Sequence, residues 1–383
     1  RECIIFMTII IAGDLVPTKS NIELFNNADI EKLLGEGLLS IWYNADIRIF
    51  NLEVPLSDKE DPIEKCGPNL IAPTSTIEGI KALQPSLITL ANNHILDQGV
   101  LGLKSTEKVL QEHGIPFIGA GDTLAEASHP YIIKQDGLKI GVYACAEHEF
   151  SIATDNTPGA NPFDPLESLD HIKNLKSKCN YVIVLYHGGK EHYRYPSPYL
   201  QKVCRKMVEK GADLVVCQHS HCIGSYEKYR NSTIIYGQGN FIFDNSDNEY
   251  WRNSLLIKIE IGDHGIDINY IPIIKESNVI RLASKEVGQN IIASFQKRSM
   301  AIMKSGFVEE KYKELAGDKI ESYLREISGM GKWVSRFDRY LLKSKILKHM
   351  FKKKRLLVLQ NYIECEAHRE LILAGLKGEI ISE

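Results

Sequence analysis

No C-x-x-C pair occurs among the eight cysteines, Cys3, Cys66, Cys145, Cys179, Cys204, Cys217, Cys222 and Cys365. A zinc ribbon or thioredoxin-like redox motif is thereby unsupported. Most of the cysteines sit in apolar runs, such as Cys145 in Val-Tyr-Ala-Cys-Ala, and read as buried free thiols of a reducing compartment. Long apolar stretches are also missing. The longest near the N-terminus, Ile4 to Ala12, falls short of the roughly 20 residues that span a bilayer. It has neither a basic leader nor a small-residue cleavage site, so it is not read as a signal peptide. The chain begins at Arg1 rather than Met, and a lost leader stays open. The expected location is the cytoplasm, with a peripheral membrane position as the alternative. Charge of one sign is lacking too: 46 Lys and Arg face 49 Asp and Glu, which gives no reason to expect nucleic acid as a partner. No internal repeat or low-complexity tract occurs.

What is present is an ordinary globular composition, 44% hydrophobic and 25% charged over 383 residues. Apolar runs at Ile4–Ile11, Ile47–Asn51, Leu87–Leu90, Leu138–Ala144, Tyr181–Tyr186 and Leu214–Cys217 read as strands. Between them, Thr76–Leu83, Val100–His113, Leu166–Lys176 and Pro198–Lys210 have helical spacing, and Gly114 and Gly211 are stop signals. This alternation implies an α/β fold with mostly parallel strands. Continuous apolarity implies strands covered on both faces. From Thr233 onward three further strands, with a hairpin turn at Gly262-Asp263-His264-Gly265, suggest a second sheet packed on the first. After about residue 285 the strands stop. The expected division is 1–285 as the main domain and 286–383 as a helical extension.

Five of these strands end directly in polar residues of metal-ligand type. The segments are Ala12-Gly13-Asp14, Asn51-Leu52-Glu53, Asn92-Asn93-His94 with Asp97, His187-Gly188-Gly189 with Glu191 and His192, and Gln218-His219-Ser220-His221. In an open α/β sheet, ligands bind beyond the carboxyl ends of the strands, so segments distant in sequence should converge. Gly13, Gly188 and Gly189 allow sharp turns and close approach. His219 and His221, if extended, point to one side. Imidazole, carboxylate and amide oxygen together suit Zn, Mn, Fe or Ni. Pairs of such ions activate water and neutralise a phosphoryl oxyanion, and a nearby His can protonate a leaving alkoxide. Each segment alone has a plainer reading: Asp14 as a turn residue, Glu53 as a solvated loop carboxylate, Asn92–His94 as a helix cap, the two histidines as a surface pair. The weight lies in their regular placement. Glu147–Ser151 follows a sixth strand and reads either as a plain polar loop or as part of a pocket wall.

In order, Gly13-Asp14, Asn51-Leu52-Glu53, Ala91-Asn92-Asn93-His94 with Asp97 and Gly99, His187-x-Gly189-x-Glu191, Gly211-Ala212-Asp213, His219-x-His221 and Gly239-Asn240-Phe241 resemble the pattern of the CapA family. That family is linked to poly-γ-glutamate and capsular polysaccharide synthesis and is similar to calcineurin-like metallophosphoesterases. The resemblance covers roughly residues 4 to 275 and implies a four-layer αββα sandwich. It implies a divalent-metal site, expected to hold two ions, with Asp14, Glu53, Asn93, His187, His219 and His221 as ligands and Glu53 as the bridge. It implies His94 with Asp97 as catalytic residues and Asn92, Glu191 and Asn240 as substrate contacts. Two departures stand out. Asp14 is followed by Leu15-Val16 where the phosphoesterase pattern has Asp-x-His, and Gln218 replaces a Gly. The first is shared with the CapA pattern.

The expected function is a metal-dependent, phosphoesterase-type hydrolase in capsule or poly-γ-glutamate biosynthesis, acting on a cell-surface polymer or its phosphorylated precursor. The alternatives are a non-catalytic metal- or ligand-binding part of a capsule-synthase complex, and a γ-glutamyl amide hydrolase. Toward the C-terminus, Lys343, Lys345, Lys348, Lys352, Lys353, Lys354 and Arg355 interleave with Leu341, Leu342, Ile346, Leu347, Phe351, Leu356 and Leu357. This reads as one basic amphipathic helix, suited either to packing or to an anionic membrane surface.

Overall fold

The computed structural model describes residues 5–244, 248–263 and 265–382, and side chains within those ranges from 7 to 378. Cys3, Ile4 and His264 lie outside them. The chain forms two compact units, Arg1–Glu309 and Glu310–Glu383.

The first unit contains two large sheets. One has seven strands in the order Val279–Leu282, Gly265–Glu276, Asn253–Gly262, Ile5–Leu15, Ile47–Leu52, Leu87–Thr89, Phe117–Ile118. Its last four strands are mutually parallel, and the others pair antiparallel. The other has six, in the order Tyr226–Tyr229, Ser232–Ile235, Leu214–Gln218, Tyr181–His187, Leu138–Ala146, Tyr131–Gln135. Its four central strands are parallel and its two edges antiparallel.

Strand side chains alternate between faces, and that period sorts the core into three layers. Ile9, Ile11, Ile47 and Ile49 pack against Ile140, Val142, Ile183, Leu185 and Val216, filling the space between the sheets. Ile10, Phe50 and Leu52 face the other way, onto Phe25, Leu33, Trp42 and Leu110 of the outer helices. Tyr143, Val182, Val184 and Val215 do the same on the far side, onto Ile172, Leu175, Val203 and Met207. The result is an αββα sandwich, and it explains the unbroken apolar strands. Each fully buried Leu or Ile contributes roughly 1.5–3 kcal/mol.

Local signals set the helices. Ser197 accepts the Leu200 amide at 3.0 Å, Pro198 opens the helix Pro198–Glu209, and Gly211 follows it at φ 119°. The helix Gly99–Glu112 is followed by Gly114 at φ 66°.

The strands after Thr233 do not form a separate second sheet. Ser232–Ile235 joins the six-stranded sheet beside Leu214–Gln218, and Asn253–Gly262 pairs with Ile5–Leu15. Apolar alternation marks a strand but not its partner. Gly262 pairs with Gly265 across the expected hairpin. The division at 285 is also corrected. Helix Lys285–Ile302 buries Ile291 and Phe295 in the layer between the sheets and belongs to the first unit.

In the second unit, the single basic helix expected over 341–357 is broken. Helix Lys332–Tyr340 ends before it, and helices Lys345–Met350 and Lys353–Glu364 divide it between them. Lys343 and Ser344 turn the chain at φ 50° and 61°. The Asp338 carboxylate pins the turn, accepting the amides of Ile346 at 2.8 Å and Leu347 at 3.3 Å and the Arg325 guanidinium at 3.2 Å. Among the described residues no helix is long and apolar enough to cross a membrane.

Candidate metal centre

The parallel strands of each sheet place their carboxyl ends on one edge, and the polar segments meet there. Asp14 ends Ile5–Leu15, Glu53 follows Ile47–Leu52, Asn93 follows Leu87–Thr89, His187 ends Tyr181–His187, and His219 and His221 follow Leu214–Gln218. Two sets of donor atoms result: Glu53, His187 and His219, and Asp14, Glu53 and His221, each with its ligand atoms within 4.8 Å of one another. Glu53 belongs to both. Asn93 joins the first set, its Oδ1 3.0 Å from His187 Nε2. All six side chains are buried.

Their electrostatics suit a cation. Both Glu53 oxygens are enclosed without a hydrogen-bond partner. His187 Nε2 stands 3.2 Å from one of them but out of hydrogen-bond alignment. Burial pushes the Glu53 carboxyl up to about 8. Burial and then the neighbouring Glu53 push Asp14 up to about 7. Burial drives His187 down to about 4 and His221 to about 3, and holds His219 well below the usual histidine value. A buried carboxylate without donors is costly, and neutral imidazoles are the ligating form. The residues fit one or two divalent ions.

The histidine pair is not extended. His219 and His221 have φ of 77° and 52°, and each serves a different donor set. Left-handed backbone at two non-glycine residues is strained and is tolerated where surrounding structure enforces it. At Gly13 a Cβ would lie 2.0 Å from the Gly239 carbonyl oxygen, so the close approach of that loop requires glycine.

Behind the ligands lies a ring of amides. Asn51 donates to Asp14 Oδ1 at 2.8 Å and accepts from Asn92 at 3.1 Å. Asn92 also donates to the Leu52 carbonyl and accepts the His94 amide. It is fully enclosed and braces the site. Asn240 is buried too, with Oδ1 2.8 Å from His221 Nδ1 and Nδ2 without a partner among the described residues. Gln218 ties the sheets together by donating to the Ala12 carbonyl at 3.2 Å. Val16, buried, stands where the phosphoesterase pattern has its extra His.

A cleft of about 670 Å³ opens onto the ligands, and His94 and Glu191 are on its wall. Asp97 is fully buried behind His94, 2.6 Å from its Nδ1, and also takes the Leu70 amide and the Lys65 ammonium. Asp97 thus fixes the orientation of the His94 ring. Burial lowers the His94 pKa, but Asp97 and Glu53 outweigh it, so His94 lies above the usual value.

Sequence reasoning gave no role to Lys65 or Trp251. Lys65 lies in an irregular loop without periodic signal. Trp251 has its ring 4.5 Å from that of His221 and donates to His192 at 2.9 Å. Glu149 does line the cleft, accepting from Asn93 at 3.2 Å. Its place after the strand Leu138–Ala146 was the available signal.

The first unit is an αββα sandwich with Asp, Glu, Asn and His donors gathered at its strand ends, a set that fits divalent metal. The chain belongs to the family described as bacterial capsule synthesis protein PGA_cap, which matches residues 8–245. It is 30% identical over 238 residues to a capsule biosynthesis protein CapA of Bacillus anthracis, covering 59% of this chain and 57% of that one. It is 29% identical over 196 residues to the PGA biosynthesis protein CapA of Bacillus subtilis, covering 50% of each. The chain spans about half the length of these curated relatives. Among solved structures, it is similar to a putative 5'-nucleotidase from Staphylococcus aureus (14% identity, 76% of this chain and 58% of that chain, TM-score 0.44). A novel phosphatase from Mycoplasma pneumoniae is also similar (16% identity, 71% and 94%, TM-score 0.42).

Proposed function

We propose that this chain is a divalent-metal-dependent hydrolase of phosphoesters. It acts in capsular polysaccharide or poly-γ-glutamate biosynthesis, on a cell-surface polymer or its phosphorylated precursor. The observation that carries the reading is Glu53, a buried carboxylate with no donor on either oxygen, shared by two sets of histidines and carboxylates. Glu53, Asn93, His187 and His219 would hold one ion, and Asp14, Glu53 and His221 a second. Divalent ions bound there supply Lewis-acid polarisation of a phosphoryl oxygen and lower the pKa of water. Asn51 and Asn240 fix the orientation of Asp14 and His221. Asp97 anchors His94 through Nδ1 and favours its protonated form, which suits it to donate a proton to the leaving oxygen. The ionised partners would be Zn, Mn, Fe or Ni, the metals this donor mix suits.

One observation favours a second reading. Val16 leaves the second set with only three protein donors, as expected of a binding component of a capsule-synthase complex. In that reading the lysines of 343–355 provide the dock to a partner or to an anionic membrane surface, at roughly 1 kcal/mol each. The deciding experiment is metal analysis of the purified chain after reconstitution with Mn, Fe or Zn, together with hydrolysis of p-nitrophenyl phosphate and of a γ-glutamyl anilide. Metal uptake with phosphoester cleavage, lost in His94→Ala, is expected. Metal uptake without cleavage of either compound would favour the binding component, and cleavage of the anilide alone would favour an amide hydrolase. Neither metal nor cleavage would end the hydrolase reading.

A further inference from the structure

A second cavity, of about 250 Å³, lies in the first unit and is lined by Arg194, Tyr250, Asn253, Asn290, Ser294 and Arg298, with Glu249 also on its wall. Three of these come from one helix, Lys285–Ile302. Asn290, Ser294 and Arg298 are four residues apart and therefore share one face. Arg298 is held as a fixed fork: Nε donates to the Gly224 carbonyl at 2.7 Å and Nη2 to the Ile223 carbonyl at 3.1 Å. Arg194 stands over the Tyr250 ring, 4.9 Å from its centre.

Neither guanidinium has a carboxylate within 4 Å among the described residues, although Glu249 is near and exposed. Nothing described accepts from Arg298 Nη1. Partly buried arginine is ordinarily paired, and here two of them face one space. Burial, and then the neighbouring Arg194, push Arg298 down to about 10. Two guanidinium groups beside two amides and a hydroxyl form a donor set suited to a planar or tetrahedral oxyanion.

We propose that this cavity binds an oxyanion group, a carboxylate or a phosphate, at a site separate from the metal centre. It adjoins the cleft through one wall. Tyr250 stacks on His192 with ring centres 5.2 Å apart and planes at 17°, and His192 lines the cleft. An anionic group held by Arg194 and Arg298 therefore sits next to the reacting region without touching the metal ligands. The site stands whether or not the centre hydrolyses anything.

The test is calorimetric titration of inorganic phosphate and, separately, glutarate into the full chain stripped of metal with EDTA. Saturable binding of at least one anion is expected, and the two arms separate a phosphoryl ligand from a carboxylate ligand. Ser294→Asp, which adds a carboxylate at an exposed position, and Arg194→Gln should each weaken binding about tenfold or more. Arg298→Gln should do the same, but it also removes two carbonyl contacts, so the first two variants carry the test, with unchanged melting temperatures as the fold control. Asp14→Asn at the metal centre should leave anion binding intact. Absence of saturable binding of either anion would overturn the proposal. So would binding that survives both Ser294→Asp and Arg194→Gln, or that disappears in Asp14→Asn.

Discussion

Glu53 is enclosed, lacks a donor on either oxygen, and has its carboxyl raised from 4.5 to about 8 by burial. Between those values the folded chain keeps a proton that the unfolded chain has released, so metal-free stability falls as pH rises. Asp14, raised from 3.8 to about 7, acts with the same sign. His187 and His221 act oppositely: lowered from 6.5 to about 4 and about 3, they cost stability as pH falls below 6.5. Above 6.5 the lowered histidines no longer contribute, while the raised carboxyls and His94, held above its usual value, all lose stabilisation as pH rises. The melting temperature in EDTA should therefore fall from pH 6.5 to 8. Glu53→Gln should flatten that fall, and a wild-type melting temperature that rises over the interval would refute it. The unequal donor sets yield a second expectation. Metal titration should resolve a tighter and a weaker site, with Asp14→Asn abolishing the weaker and His219→Ala the tighter. Retention of both ions in either variant would count against the assignment. Asp97→Asn should leave metal content unchanged and lower kcat by about 10- to 100-fold, because it loosens a positioning contact rather than a ligand. Loss of metal in that variant would place Asp97 in the ligand set instead. The residues of the centre were legible in the sequence because each follows an apolar strand. Asn51, Lys65 and Trp251 were not assigned roles, since a brace, a loop cation and an aromatic wall leave no periodic trace.

The decisive element is helix Lys285–Ile302. Its periodicity is that of any amphipathic helix, so the sequence placed it with the extension. Phe295 instead lies fully buried between Tyr226 and Tyr270, with ring centres 5.0 Å from each. Phe295→Ala should cost about 3–5 kcal/mol, read from urea unfolding. A loss below 1 kcal/mol would mean that the helix is not part of the core. The same element supplies Ser294 and Arg298 to the second cavity, so helix and anion site stand together. Loops show the complementary limit. His219 and His221 would share one side only if their segment were extended, and left-handed backbone instead sends them to different donor sets. Backbone conformation at a loop is decided by what surrounds it.

At the scale of the molecule, the family match ends at residue 245 while the compact first unit runs to Glu309. A chain ending at 309 should keep its metal content and melting temperature. Ending it at 285 removes Ile291, Phe295 and Ile302, roughly 5–9 kcal/mol of burial at ordinary values per side chain. That is comparable to the whole stability of a typical domain, so the shorter chain should be unfolded or aggregated by circular dichroism. A well-folded 1–285 fragment would mean that helix Lys285–Ile302 is not part of the first unit.

Sequence alone determined the α/β character, the doubly covered strands, the helix stops and the set of polar residues at the strand ends. These follow from side-chain period and local backbone preference, which act over a few residues. Tertiary structure decided which sheet each late strand joined, that helix Lys285–Ile302 belongs to the first unit, and that Glu53 is shared by two donor sets. It also decided that Arg194 and Arg298 face one cavity. Those outcomes depend on contacts between residues far apart in the chain, and hydrophobic pattern has no term for which distant surface an element will meet.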